Sequence, residues 1–363
     1  MVVRSSILPS FDGLNDQMKA VLTQLQGQIK RVFITGAGGF LGKAICQHLR
    51  TANIEVVGFA RSQYPQLTAM GVTLIQGDLA DKQAVIDAMS GCDLVFHVAS
   101  KAGVWGTKAS YFSANVDGTN NIINACKQLN IQRLVYTSTP SVTFAGEDED
   151  GIDESHPYAP RFLNFYSLSK AIAEQHVLTA NKQPLVNQQS LQTVALRPHL
   201  IWGPGDPHLV PRVIARAQAG KLKLVGKEDK LIDTIYIDNA VYAHLLAALN
   251  LSQHPSTCAG KAYFLSNDEP ITMADMLNQI LACKGMQPIR KRVPAKMAYA
   301  VGTLLEWIYI SLRKKEEPIM TRFVAKQLST SHYFNISAAK KDLNYRPLIS
   351  IKQGMTILQA SLI

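Results

Sequence analysis

At 363 residues and 39.9 kDa the chain has room for two domains, or for one large α/β unit with an appended lobe, at roughly 150 residues per domain, which excludes a small disulfide-stapled module. Hydrophobic residues make up 47%, charged residues 18%, and mean hydropathy is +0.02, enough apolar material for a large core and too little net polarity for disorder. The net charge of +10 is uneven: residues 1–196 hold 15 basic and 15 acidic side chains, residues 197–363 hold 22 and 12.

The first 17 residues contain no continuous apolar core and carry Asp12 and Asp16, which argues against a signal peptide. Leu14, Met18, Val21, Leu22 and Leu25 recur at helical spacing, so residues 1–29 are expected to form an amphipathic extension that packs on its own domain or docks a partner. From Lys30 short apolar runs alternate with helical stretches, the signature of βαβ units. Strands are predicted at 31–35, 54–59, 72–76, 94–98, 134–137 and 193–196. Their near-continuous apolar character implies an α/β Rossmann fold with a doubly wound parallel sheet covered on both faces. The acidic run Glu147–Asp150 reads as a solvated loop.

After Pro198 the alternation breaks down. A loop at 203–207, a helix at 210–220, a strand at 263–265 and a helix from about Thr272 follow. The expected organisation is a dinucleotide-binding domain at 30–197, completed by about 234–250, with 198–233 and 251–363 forming a smaller interleaved substrate lobe. Met297–Leu312 is apolar apart from Glu306. At 1.5 Å per residue it is shorter than the roughly 30 Å hydrocarbon core of a bilayer, which leaves core helix, lipid entrance, membrane contact and partner contact open. Five scattered cysteines without a C-x-x-C pair fit reduced thiols in a cytoplasmic protein. His156, His199 and His208 lack metal-motif spacing, so no metal is expected.

Thr35-Gly36-Ala37-Gly38-Gly39-Phe40-Leu41-Gly42 closes the first predicted strand and opens a helix, the context in which a glycine motif means a dinucleotide site. Gly36 permits the tight turn, Gly39 the approach of a pyrophosphate and Gly42 close helix–sheet packing, with the N–H groups around Phe40 and Leu41 receiving the anion. The second strand ends Gly58-Phe59-Ala60-Arg61, with no acid for a ribose 2′-hydroxyl and a guanidinium suited to a 2′-phosphate, which favours NADPH over NADH. Asp78-Leu79 is placed to meet the adenine, or Asp78 simply caps a turn. Tyr166 and Lys170 are four apart and share a helix face. An ammonium there stabilises the phenolate of a tyrosine acting as acid, while a hydroxyl of the Tyr136-Thr137-Ser138-Thr139 run steadies the carbonyl oxygen.

These motifs, with His97-Val98-Ala99-Ser100, Asn115-Val116-Asp117-Gly118-Thr119, Arg197-Pro198 and Tyr236-Ile237-Asp238-Asn239, resemble the extended short-chain dehydrogenases/reductases of the 3β-hydroxysteroid dehydrogenase-like group over roughly residues 30–350. The resemblance implies Thr139 as the catalytic hydroxyl, with Ser138 and Ser141 as substitutes. It also implies Asn115 in a proton relay, Ala99 beside the cofactor, and Pro198 to Ile201 along the nicotinamide. Lys101-Ala102-Gly103-Val104-Trp105-Gly106 and Leu196 to Asp206 are similar to a narrower branch, the reductases of 2-alkyl-3-oxoalkanoic acids in bacterial long-chain olefin biosynthesis. That branch implies β-lactone-forming and decarboxylating partner enzymes. Sterol-type dehydrogenation and a non-catalytic NADPH sensor or scaffold are the rival readings. His199, Trp105 and Trp202 are candidates for substrate contact or for packing. The excess positive charge, with Arg290-Lys291-Arg292 and Arg313-Lys314-Lys315 flanking the apolar stretch, is expected to attract fatty carboxylates, an anionic membrane face or acidic partners rather than nucleic acid. A homodimer stays open.

Overall fold

Strand β1 (Arg31–Thr35) sends Val32 and Ile34 into one apolar core and Phe33 into another, the alternation of a strand buried on both faces. It is the third strand of a seven-stranded parallel sheet with β2 (Glu55–Ala60), β3 (Thr73–Gln76), β4 (Leu94–His97), β5 (Arg133–Thr137), β6 (Gln192–Pro198) and β7 (Ala262–Leu265), in the order β3-β2-β1-β4-β5-β6-β7. This is a doubly wound Rossmann sheet, seen in a computed structural model that describes residues 8–362. The first seven residues of the expected N-terminal extension lie outside the described residues.

Helix α1 (Asp16–Gln26) starts where the Asn15 side chain accepts a hydrogen bond from Gln17 N at 2.9 Å, an N-cap that satisfies one free helix donor. Its buried face, Met18, Val21, Leu22 and Leu25, joins the core under the sheet, so the amphipathic stripe is used within the chain. Helix α2 (Phe40–Thr51) buries Leu41, Ile45, Cys46 and Leu49 on one side. Helix α3 (Phe165–Thr179) packs against β6 on the opposite face of the sheet, and α4 (Ile237–Leu251), buried almost throughout, packs against α1, α2, β5 and β6.

Two sequence expectations are corrected. The strand read at 263–265 as part of the second lobe is β7, pairing in parallel with β6 as the last strand of the main sheet, because its apolar residues complete a core that periodicity alone cannot assign to a partner. The acidic run Glu147–Asp150 is not wholly a solvated loop. Glu149 begins a strand (Glu149–Ile152) in a four-stranded sheet of the second lobe. Its carboxylate is buried, accepting from Thr143 Oγ1 at 2.7 Å with His332 Nδ1 at 3.5 Å.

A buried ion pair ties α3 to the sheet. Arg197 on β6 donates from Nε to Glu174 Oε2 at 3.0 Å, and Tyr158 OH donates to Glu174 Oε1 at 2.7 Å; Glu174 is fully buried and Arg197 nearly so. Losing one partner strands the other charge in the core, so Glu174→Leu or Arg197→Leu alone should cost about 3–5 kcal/mol. The Glu174→Leu/Arg197→Leu double variant should recover a large part of that loss. Urea unfolding of the three variants checks it, and independent additive losses would contradict the pairing.

Candidate active site

At the end of β1 the chain turns through Gly36 at φ +67°, a left-handed conformation that favours glycine. A Cβ on Gly36 would lie 2.9 Å from the Ala99 backbone, and one on Gly42 only 2.2 Å from the Gly36 carbonyl oxygen. The turn, the loop after β4 and the start of α2 therefore close to backbone contact. Gly39 precedes α2 without a side-chain cap, leaving first-turn N–H groups available to an anion.

Gly36, Gly39, Phe40, Leu41, Gly42, Arg61, Asp78, Leu79, Ala99, Thr139, Tyr166, Lys170, Pro198 and Ile201 all line one cleft of about 710 Å³. It lies outside the carboxyl ends of the strands, where open α/β sheets place their ligands. The cleft suits a dinucleotide: an uncapped helix start and glycine-only turn for the diphosphate, Arg61 exposed at the end of β2, and a hydroxyl–phenol–ammonium set at the far end. Asp78 lines the cleft, and its Oδ1 accepts from Ala80 N at 2.9 Å as a turn cap.

The hydroxyl, phenol and ammonium sit where β5 and α3 meet. Lys170 Nζ donates to the Thr137 carbonyl at 2.6 Å and stands 4.2 Å from the Tyr136 ring centre. Burial pulls the Lys170 ammonium down to about 7, with the Glu174 charge one helical turn away acting in the opposite direction. Burial also raises Tyr166, partly offset by the Thr139 hydroxyl beside it, which keeps the phenol in its proton-bearing form. His97 is held neutral, lowered to about 3 by burial and by the Lys170 charge, and bridges Thr35 Oγ1 at 2.7 Å and Thr119 Oγ1 at 2.9 Å.

Asn115 does not line the cleft. It sits in a π-helical turn at Phe112–Asp117, a distortion that tends to mark functional sites, and its amide clasps the main chain of Lys101: Oδ1 accepts from Lys101 N at 2.7 Å and Nδ2 donates to Lys101 O at 3.2 Å. Nδ2 also donates to Ser169 Oγ at 2.9 Å, and Ser169 Oγ to the Tyr166 carbonyl at 2.8 Å. His199 points away from the cleft to the Asp233 carbonyl at 2.7 Å, and Trp202 is buried with Nε1 on Thr234 Oγ1 at 3.1 Å. Trp105 reaches the Lys314 carbonyl at 3.2 Å.

Sequence reasoning passed over Tyr64 and Ser113, gave Lys101 no role and weighed His208 for metal alone, and all four residues line the same cleft. Lys101 lies in the loop after β4, so the rule that ligands gather at carboxyl strand ends was a usable signal. Tyr64 had none: its ring covers Gly38 so closely that a Cβ there would lie 2.2 Å from it.

Residues 33–294 match the 3-beta hydroxysteroid dehydrogenase/isomerase family, and the chain belongs to that family of short-chain oxidoreductases acting on alcohol and ketone groups. It is 64% identical over 350 residues to the 2-alkyl-3-oxoalkanoate reductase of Shewanella oneidensis, covering 96% of this chain and 90% of that one. It is 33% identical to the mouse (Mus musculus) sterol-4-alpha-carboxylate 3-dehydrogenase, decarboxylating, covering 92% and 91%. Among solved structures it shares the fold of the Thermus thermophilus UDP-glucose 4-epimerase complex with NAD, at a TM-score of 0.68 and 22% identity over 91% of this chain and 98% of that one.

The lowered Lys170 makes a stability test. Between pH 7 and its ordinary value of 10.5 the unfolded chain holds a proton that the folded chain has released, so this residue's contribution to stability rises with pH through that window. Below about pH 7 both states are charged and the burial penalty is complete. Lys170→Met should therefore gain most over wild type near pH 6, and the gain should shrink by about 1 kcal/mol per pH unit from pH 7 upward. Denaturant unfolding at several pH values reads this, and a pH-independent gap would contradict a lowered lysine.

Proposed function

We propose that the cleft binds NADPH and reduces the ketone of a long-chain 2-alkyl-3-oxoalkanoic acid to the 2-alkyl-3-hydroxy acid, a step of long-chain olefin biosynthesis. The observation that carries this reading is one cleft lined by Thr139, Tyr166, Lys170 and a second cation, Lys101. The bound cofactor supplies the hydride to the ketone carbon. Tyr166 gives its proton to the ketone oxygen, Thr139 orients that oxygen, and Lys170 stabilises the phenolate left behind. Arg61 meets the 2′-phosphate.

The substrates named for the bacterial and mouse relatives share one chemical relation: a carboxylate on the carbon next to the one that is reduced or oxidised. A group that recognises it has to sit close to Tyr166. Lys101 Nζ lies 5.3 Å from the Tyr111 ring centre, and that ring is edge-on to Tyr166 with centres 6.4 Å apart. Among the described residues no carboxylate forms an ion pair with Lys101, the nearby Glu317 being paired with Arg212 at 3.5 Å. The Asn115 clasp fixes the root of this cation, so Lys101 binds the substrate carboxylate. The 3-hydroxy acid so formed suits β-lactone-forming and decarboxylating enzymes, which are the proposed partners.

NADPH oxidation with a 2-alkyl-3-oxo acid should be clear and that with a 3-ketosteroid weak; the reverse would favour the sterol-type reading. Tyr166→Phe should lower turnover by about 10²–10⁴-fold with NADPH binding intact, whereas a wild-type protein without turnover would be a sensor. Arg61→Asp should shift preference towards NADH, and unchanged preference would remove Arg61 from the 2′-phosphate. Lys101→Met should raise KM for the free acid by at least about tenfold and leave the methyl ester nearly unaffected, with Lys101→Arg restoring much of the loss. Equal effects on acid and ester would show that Lys101 only packs.

A further inference from the structure

Successive side chains of β5 point to opposite faces of the sheet. Thr137 turns towards α4, where His244 Nε2 lies 2.9 Å from its Oγ1, and Tyr136 turns the other way, towards α3 and Lys170. Both Tyr136 and Lys170 are almost wholly buried, and Lys170 Nζ stands over the Tyr136 ring, 4.2 Å from its centre. That is well inside the distance of about 6 Å at which the negative face of an aromatic ring attracts a cation.

An ammonium has three N–H groups to place, and the Thr137 carbonyl takes one at 2.6 Å. Among the described residues no carboxylate forms an ion pair with Lys170, and Glu174, one turn further along α3, is paired with Arg197. What lies against the buried charge is therefore neutral: a carbonyl oxygen and a ring face. The ring is itself fixed. It lies 5.5 Å from the His97 ring, centre to centre and tilted by 44°, and His97 is held on both sides by Thr35 and Thr119. The Tyr136 hydroxyl is buried without a hydrogen-bond partner, so the residue acts on Lys170 through its face and not through its oxygen.

We propose that Tyr136 is a positioning residue: its ring face holds the Lys170 ammonium in its charged form and, with the Thr137 carbonyl, leaves a remaining N–H for the cleft. The role rests on the reaction proposed above, in which that charge stabilises the Tyr166 phenolate. The titratable groups acting on Lys170 besides the ring are Glu174 on α3 and the neutral His97 on β4, and both are left in place by the variants below. Attraction to the ring raises the pH at which Lys170 loses its proton. Removing the attraction lowers that pH, and turnover is then lost earlier as pH rises.

The test reads the Lys170 proton without turnover, by NMR titration of the full chain with lysine labelled with carbon-13 at Cε, the signal being assigned by its loss in Lys170→Met. Tyr136→Phe keeps the ring face and should leave the midpoint within about 0.3 pH unit of wild type. Placing 3,4,5-trifluorophenylalanine at the same position keeps the shape and withdraws electron density from the face, which should lower the midpoint by about one pH unit. The alkaline limb of turnover should move by the same amount. Equal midpoints for the phenylalanine and trifluorophenylalanine proteins would overturn the proposal, as would a shift in Tyr136→Phe as large as in the fluorinated protein. A midpoint shift that the alkaline limb does not follow would overturn the positioning role. Absence of turnover in wild type would remove the reaction and leave the midpoints, read without substrate, to decide the part of the ring, so the two failures are told apart.

Discussion

The arrangement of the site depends on one buried ammonium. Lys170 has the Thr137 carbonyl as acceptor and the Tyr136 ring beside it, so the end of β5 and the first turns of α3 are set relative to each other by a single side chain. Burial works against that charge, and Glu174, one turn further along α3, works for it. Glu174 is itself held by Arg197, the residue before Pro198. The same chain of contacts therefore places Tyr166, the hydroxyl at Thr139 and the wall of the cleft at Pro198. Cleft geometry and core stability are coupled here, because the groups that keep Lys170 in place also join a helix to a sheet.

The features legible in the sequence are those with local causes. The glycine turn is readable because its spacing is imposed by backbone contacts within a few residues of Gly36, and Tyr166 with Lys170 because four positions bring side chains onto one helix face. The strands of the sheet are readable because burial on both faces demands runs such as Val32-Phe33-Ile34. Relations between distant segments are not legible in this way. β7 looks like any short apolar run until it is seen beside β6, and Glu149 is acidic in a run of acids until Thr143 and His332 enclose it. Asn115 is recognisable as a site residue through resemblance alone, and that resemblance suggests a relay. Its amide is bound to the main chain of Lys101 and the hydroxyl of Ser169, contacts no spacing reveals.

Aromatic contacts continue from the cleft towards helix α5 (Ala295–Ser311). Tyr111 lies edge-on to Tyr166, its hydroxyl donates to the Gly103 and Trp105 carbonyls at 2.8 and 3.1 Å, and the Trp105 ring is edge-on to Tyr309 of α5 with centres 6.1 Å apart. The loop that carries Lys101 is thus shared between the cleft and helix Ala295–Ser311.

The placement of β7 reaches beyond the folded state. When translation has passed Pro198, β6 is an open sheet edge, and the strand that pairs with it on that side is completed only at Leu265. The nascent cofactor-binding half therefore exposes unpaired backbone groups of an apolar strand while the loop and helices of the second lobe are still being made, a period in which such edges recruit other chains. Interleaving gives the mature enzyme two lobes that share one core, and it makes the first half of the chain reliant on the second for a finished sheet. A truncated or stalled product ending near Pro198 would be an aggregation hazard rather than a small cofactor-binding domain.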